Sequence, residues 1–203
     1  MAGKLKLAAA LGAIILMGGA IALADRQTTP ETANTVPAMS GFSRDATADL
    51  QGYYIPLWNA ETGVSAKYRA GNFVLNNLAI STKTELAAFE KSGSSGIENY
   101  APVMLEFDDV TSPTGENELG QTYYETTERI LPDAYAITTD TLTFKGTGPT
   151  LGTVTFTGKA DPKDIKAARN APAHISKGAV LTGTLTVGDT VIENVELMWY
   201  GGE

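Results

Sequence analysis

The sequence predicts a mainly β protein, an antiparallel β-sandwich or barrel with two short helices, preceded by a signal peptide and a flexible linker. Threonine alternates with apolar residues through the C-terminal third, where residues 138–190 contain 13 threonines. This period-2 pattern is typical of strands with one buried and one solvated face. Helical periodicity occurs only in two brief segments.

The first 24 residues have the composition of a signal peptide. Lys4 and Lys6 are followed by an apolar run from Leu7 to Ala24, which ends in Ala22-Leu23-Ala24. A basic start, an apolar centre and small residues at the last and third-last positions predict cleavage after residue 24. The alternative is an uncleaved membrane anchor, since 18 helical residues span about 27 Å. We expect cleavage, a periplasmic or secreted mature chain, and no membrane span after it.

The mature chain is predicted to contain one folded domain. Residues 25–48 are rich in threonine, alanine and proline and are interpreted as a flexible linker, because such a segment buries too little apolar surface to become ordered. Aromatic residues become frequent shortly after it, and residues 49–203 are assigned to a single β-rich domain. The mature length of 203 − 24 = 179 residues suits one domain.

Composition excludes several kinds of function. The chain has 15 Lys and Arg, 23 Asp and Glu, one His and no Cys. The lack of cysteine excludes thiol nucleophiles, disulfides and cysteine-ligated metals. A net charge of −8 argues against a nucleic-acid partner, because phosphates require neutralisation by basic side chains.

Strands are predicted along most of the domain. The two clearest are the near copies Leu142–Gly146 and Val154–Gly158, which alternate apolar residues with threonine or lysine. Earlier strands are predicted at Asn72–Ile80, Tyr100–Phe107 and Thr122–Leu131.

The last two strands predict an irregularity in their pairing. Gly188-Asp189 has the composition of a two-residue hairpin turn. A regular hairpin around it would place Leu181 opposite Glu196 and mix the two faces of the sheet. Because burial fixes the register more strongly than the turn does, we predict a three-residue loop or a β-bulge between Thr190 and Asn194.

Two helices are predicted from their start signals. Thr82-Lys83-Thr84-Glu85 matches a capping box, and Leu86 and Phe89 follow as a short apolar stripe. Asp161 is positioned as the N-cap of a second helix, Pro162–Arg169, with proline at its first position.

An acidic segment is the first candidate site. Between Lys91 and Arg129 there are eight carboxylates and no basic side chain. Ca²⁺ takes several oxygen ligands, although the spacing here does not match an EF-hand. The alternatives are a solvated acidic loop and a carboxylate pair for glycoside hydrolysis. The candidate metal ligands are Asp108, Asp109, Glu116 and Glu118, and no other cofactor is predicted.

Aromatic residues form the second candidate site. Adjacent aromatic residues in a strand point to opposite faces, so one of each pair is expected to face outward and to stack on a small molecule. Ordinary packing is the alternative interpretation. The candidate ligand-binding residues are Tyr53, Tyr54, Trp58, Tyr123 and Tyr124.

No catalytic motif accompanies these candidates. The sequence has neither a G-x-S-x-G nucleophile elbow nor a phosphate-binding P-loop, and its one histidine, His174, lies in a proline-containing loop. The leading hypothesis is an exported, periplasmic β-rich binding or interaction module of unknown ligand, not an enzyme. The alternatives are a carboxylate-based hydrolase that uses a divalent cation or none, and a structural envelope protein. The expected partner is a small molecule or an envelope protein.

Overall fold

The computed structural model describes residues 39–57 and 68–201, all of which belong to one compact unit, residues 36–203. The predicted signal peptide and residues 25–38 of the predicted linker lie outside the described residues.

The described residues form a mainly β structure with two helices, as the sequence predicts. The helices are α1 (Lys83–Ser92) and α2 (Pro162–Asn170). The strands are β1 (Gly41–Arg44), β2 (Gly52–Pro56), β3 (Arg69–Ala70), β4 (Phe73–Ile80), β5 (Val103–Asp109), β6 (Thr114–Glu116), β7 (Thr122–Tyr124), β8 (Thr127–Ile130), β9 (Pro132–Ile137), β10 (Thr141–Gly148), β11 (Gly152–Ala160), β12 (Leu181–Val187) and β13 (Thr190–Tyr200).

The main sheet curls into a barrel-like wall. Its strand order is β1-β9-β10-β11-β12-β13-β2-β4-β5-β8, with β3 paired to β4. Strands β8 and β9 lie near opposite ends of this path, yet Leu131 alone separates them in the chain. The path therefore returns on itself. Its pairings are antiparallel except for β1, which runs parallel to β9.

The barrel has two distinct ends, which position the surfaces described below. Strand β11 runs from the turn after β10 to α2, and β4 and β5 are joined through α1. Both helices consequently lie at one end, here called the helix end. The β10–β11 and β12–β13 turns lie at the opposite end, where the Gly188 N–H donates to the Thr153 carbonyl.

The interior is filled by large apolar side chains. Phe144 and Phe156 face each other across β10 and β11, and both are fully buried. The threonines on the same strands lie on the outer face, as the alternating pattern predicts. Other fully buried interior residues are Tyr54, Tyr68, Leu78, Leu105, Phe107, Ile130, Leu142 and Leu181.

The β12–β13 hairpin contains the predicted bulge. Val187 pairs with Thr190, so the turn has two residues, and this part of the ladder follows the turn's register. The register shifts between Gly183 and Leu185, and beyond the shift Leu181 pairs with Leu197. Asn194 takes a positive φ of 54° at the shift. Because of the bulge, the residues next to the turn pair as a two-residue turn requires, and Leu181 and Leu197 still face each other on the buried side.

Both predicted helix starts are confirmed. The Thr82 hydroxyl accepts from the Glu85 N–H, and the Glu85 carboxylate accepts from the Thr82 N–H. Asp161 caps α2 through the N–H groups of Lys163 and Asp164.

Strand β1 lies inside the segment that the sequence assigns to the linker. Gly41–Arg44 pairs with β9, and Phe42 packs against Phe89 of α1 with ring centroids 4.9 Å apart. Arg44 forms an ion pair with Glu90 at 3.2 Å. Aromatic packing thus orders a short segment of polar composition, and the ordered chain starts before the predicted boundary at residue 49.

The predicted strand Thr122–Leu131 is divided in the structure. Its first part, β7, pairs with β6 in a separate two-stranded sheet, whereas β8 pairs with β5 in the barrel wall. The polar pair Glu125-Thr126 separates the two parts. The β propensity is continuous over this segment, so the sequence does not reveal that β7 and β8 pair with different strands.

Candidate functional site

A β-hairpin projects beyond the barrel at the end opposite the helices. We call residues 110–126 the arm; it contains β6 and β7. Its base continues the β5–β8 pairing, since the Asp109 N–H donates to the Thr126 carbonyl and the Glu125 N–H donates to the Pro113 carbonyl. The Val110 N–H donates to the Asn72 carbonyl, which joins the arm to the turn before β4.

The tip of the arm is ordered by Asn117. Its side-chain oxygen accepts from the N–H groups of Leu119 and Gln121 at 3.0 and 2.9 Å. Its side-chain amide donates to the Gln121 side chain at 2.8 Å. An asparagine that accepts from nearby backbone in this way is typical of a defined turn. These side-chain hydrogen bonds define the turn at the tip, which is exposed.

The arm exposes apolar side chains on an acidic background. Leu119 at the tip is 80 % exposed, and Tyr123 on the flank is 51 % exposed. The Tyr123 ring lies over Gly115, its cross-strand partner, where any larger residue would collide with the ring. Residues 110–126 contain three glutamates and no basic residue, which gives a charge of 0 − 3 = −3.

A groove lies at the helix end, between α2 and the segment that leads into β12. Its volume is about 280 Å³, slightly below the roughly 300–1,000 Å³ of typical small-molecule pockets. Its lining is mostly apolar or small, and Asp164 and Lys177 are its two charged residues. The lining residues are Asp164, Ala167, Ala168, Ala171, Ile175, Ser176, Lys177, Gly178 and Val180.

Interactions of Ser176 and Arg169 shape the surroundings of this groove. The Ser176 hydroxyl donates to the Gly178 carbonyl and accepts from the Trp199 N–H. Arg169 forms an ion pair with Asp49 at 2.8 Å and lies over the Trp199 ring.

A second, wider cleft of about 540 Å³ lies on the Arg169 side of α2. It is lined by Thr47, Asp49, Thr139, Pro162, Lys166, Arg169 and Asn170.

The structure does not bring the candidate tyrosines into one surface. Tyr53 is 48 % exposed near the helix end of β2, whereas Tyr123 and the half-buried Tyr124 belong to the arm. Trp58 lies outside the described residues.

Tyr54 belongs to the core and is not exposed to a surface ligand. Its hydroxyl donates to the Leu50 carbonyl at 2.6 Å, and burial raises the pKa of the phenol. As expected for adjacent strand residues, the two rings of the Tyr53-Tyr54 pair point to opposite faces, with Tyr54 inward and Tyr53 outward.

The candidate metal ligands are likewise distributed over separate elements. Asp108 and Asp109 end β5, Glu116 lies in β6, and Glu118 lies at the arm tip. Within residues 39–57 and 68–201, no group of three or more His, Asp or Glu side chains is arranged to hold a metal ion.

The two adjacent aspartates have opposite electrostatic surroundings. Burial raises the pKa of Asp108, partly offset by the hydrogen bond that Asn76 donates to it at 2.6 Å, and nearby Glu106 raises it further. The Thr111 hydroxyl and N–H donate to Asp109 and lower its pKa. Asp109 thus stabilises the turn at the start of the arm.

Sequence reasoning missed Leu119 and the groove. The available signal for Leu119 was a lone leucine between Glu118 and Gly120 in a polar stretch. The groove has no local signal, because its lining comes from a helix and from the loop that follows it.

Neither of the helices that the structure describes is long and apolar enough to cross a membrane. Comparisons with family models, with curated proteins and with solved structures found no match for this chain.

Proposed function

We propose that this chain is an exported β-rich interaction module, not an enzyme, and that it binds its partner through the arm. The observation that carries the proposal is the ordered apolar tip, in which Leu119 is 80 % exposed while Asn117 fixes the turn around it. A loop ordered before binding loses less conformational freedom when it docks. Exposed tyrosines such as Tyr123 are also frequent anchors in protein interfaces.

The filled barrel interior favours a surface partner over a small molecule held inside. Tyr54, Phe144 and Phe156 are among the large side chains that fill it, and all three are fully buried. The part of the interior that the structure describes is therefore occupied by the chain's own side chains, which supports binding at the surface.

The described carboxylates give the hydrolase alternative little support. Asp108 and Asp109 are neighbours in β5 and therefore point to opposite faces of the strand. Asp109 is already bonded to Thr111. The pair Asp108 and Asp109 therefore does not favour the hydrolase alternative.

Export is the second part of the proposal and rests on the basic, apolar and small-residue pattern of residues 1–24. N-terminal sequencing of the mature protein tests it. A mature chain that starts at Asp25 supports export with cleavage, whereas one that retains the residues from Leu7 to Ala24 supports the anchored alternative.

Photo-crosslinking in the exporting cell tests the arm. A photoreactive phenylalanine derivative is placed at Leu119, and in a matched control at Val191, which is 58 % exposed in the hairpin at the same end of the barrel. We expect a discrete protein adduct from position 119 and none from position 191. Equal labelling from both positions, or no protein adduct from position 119, would contradict the proposal.

A further inference from the structure

We propose that the partner of the arm is a second copy of this chain, whose helix-end groove receives Leu119. This inference rests on the proposed function of the arm and specifies its partner. It is supported by the size and lining of the groove, by the opposite charges of the two surfaces, and by their positions at opposite ends of the barrel.

The groove fits the tip of a hairpin. Its volume of about 280 Å³ is small for a drug-sized ligand but is sufficient for one aliphatic side chain with part of its turn. Ala167, Ala171 and Ile175 supply apolar surface, and the small alanines leave room above α2. Burying Leu119 against them removes apolar surface from water on both partners.

The charges of the two surfaces are complementary. The arm carries −3, with Glu118 next to Leu119. Residues 161–177, which comprise α2, its N-cap and the loop that follows, contain four basic and two acidic side chains, a charge of 4 − 2 = +2 with the histidine neutral. Lys177 and Asp164 both line the groove, so the excess positive charge lies around it, with Lys163 exposed on α2. Opposite charges steer two surfaces together and fix their orientation.

The two surfaces cannot meet within one molecule. The arm leaves the barrel at the end where β5 finishes and β8 begins. The groove lies at the opposite end, where β11 leads into α2. A contact between the arm of one copy and the groove of the next is heterologous, and repetition of such a contact extends an assembly instead of closing it. The contact involves one turn and one groove, so we expect weak, concentration-dependent association.

Sedimentation velocity of the full mature chain, from about 10 µM to about 1 mM, tests this arrangement. We expect a concentration-dependent series that extends beyond the dimer. Leu119→Asp removes the apolar tip, and Ala167→Glu places a carboxylate in the groove; each variant alone should be monomeric over the whole range. Both positions are exposed, so the fold should tolerate the changes.

Mixing the two variants gives the decisive measurement. Each variant retains one intact surface, so an equimolar mixture should form a dimer through the arm of Ala167→Glu and the groove of Leu119→Asp. Both free ends of that dimer are blocked, and nothing larger should form. This recovery cannot arise from general stickiness or from misfolding of either variant.

Matched controls place the same charges elsewhere. Val191→Asp alters an exposed apolar residue at the arm's end of the barrel, and Asn170→Glu alters α2 on the side of the wider cleft. Both should associate as the unaltered chain does. Loss of association in either control would overturn the assignment of the two surfaces.

The outcomes separate this inference from the proposed function. A chain that stays monomeric to about 1 mM, an assembly that stops at the dimer, or a mixture that does not recover would overturn the head-to-tail contact. If the Leu119 crosslink then yields an adduct with a different protein, the arm retains its binding role. If no adduct forms either, both proposals are wrong.

Discussion

The barrel wall and the arm are both built from antiparallel β-hairpins, but different forces hold them. In the β12–β13 hairpin, Leu181 and Leu197 are fully buried, and the ladder accommodates a bulge so that they can face each other. In the arm, Leu119 is exposed, and side-chain hydrogen bonds from Asn117 define the turn. Burial thus fixes the wall, whereas local side-chain hydrogen bonds fix the arm. The apolar contacts that stabilise the fold are in the wall, and the apolar tip of the arm stays exposed to solvent.

The largest expected difference between the two regions comes from truncating side chains. Phe156→Ala should lower the free energy of unfolding by about 3–5 kcal/mol, because it leaves a cavity in a filled interior. Leu119→Ser should change it by less than about 0.5 kcal/mol, because the side chain is already in water. Urea denaturation measures both values. Similar losses in the two variants would show that the arm packs against the body.

Glycine substitutions should show a smaller difference in stability loss between the wall and the arm. In Gly183→Ala the new methyl group would overlap the Thr157 carbonyl oxygen and the Gly158 backbone, at a cost of about 3 kcal/mol. Gly120→Ala meets no atom within 4 Å but has a φ of +73°, so about 1 kcal/mol is expected. Gly178→Ala, with open space and no positive φ, is the control. Thermal unfolding ranks the three, and an unaffected Gly183→Ala would contradict the close strand approach.

Two turn-holding side chains allow a finer comparison. Glu128 accepts from the N–H groups of Thr150 and Leu151 in a buried position. Glu128→Ala leaves both donors unpaired and should cost about 1–3 kcal/mol of global stability.

Asn117 makes the equivalent pair of bonds in the exposed arm. Water replaces them in Asn117→Ala, so global stability should fall by less than about 1 kcal/mol. Hydrogen exchange should instead speed up at Leu119 and Gln121 alone. Faster exchange throughout the barrel would show that the arm and the wall unfold as one unit.

The smallest expected effect is in the titration of the two aspartates where the wall becomes the arm. Burial raises the pKa of Asp108 above 3.8, and the Thr111 bonds hold the pKa of Asp109 below 3.8. The contribution of Asp108 to stability is therefore present at acid pH and lost as the pH rises through its raised pKa. That of Asp109 is present at neutral pH and lost as the pH falls through its lowered pKa.

NMR titration of the two carboxyl carbons gives both midpoints. The order should be Asp109 below Asp108, and Thr111→Val should move the Asp109 midpoint upward while leaving that of Asp108 in place. A reversed order would contradict the assigned hydrogen bonds.

Local signals predicted the regular parts of the fold well. The capping box at Thr82, the N-cap at Asp161 and the alternation through Phe144 and Phe156 each depend on residues a few positions apart. The bulge near Asn194 was predictable because a mismatch between turn and burial can be read from two adjacent strands.

The candidate site was less accessible from sequence. The sequence indicates the acidic segment, but it does not show that the four carboxylates predicted as metal ligands lie on separate elements. Trp58 lies outside the described residues, and Tyr54 faces the core. Leu119 is exposed because the arm projects from the main sheet, and no local sequence pattern predicts that projection.

Residue type and short-range spacing are enough to predict the fold class, the helix starts, the two-faced strands and the acidic character of the segment before Arg129. Only the folded chain shows which strands pair, how the sheet returns on itself, that Gly41–Arg44 joins the wall, and that the arm and the groove lie at opposite ends. These features depend on contacts between residues far apart in the chain, and their energy comes from burying surfaces that meet only after folding.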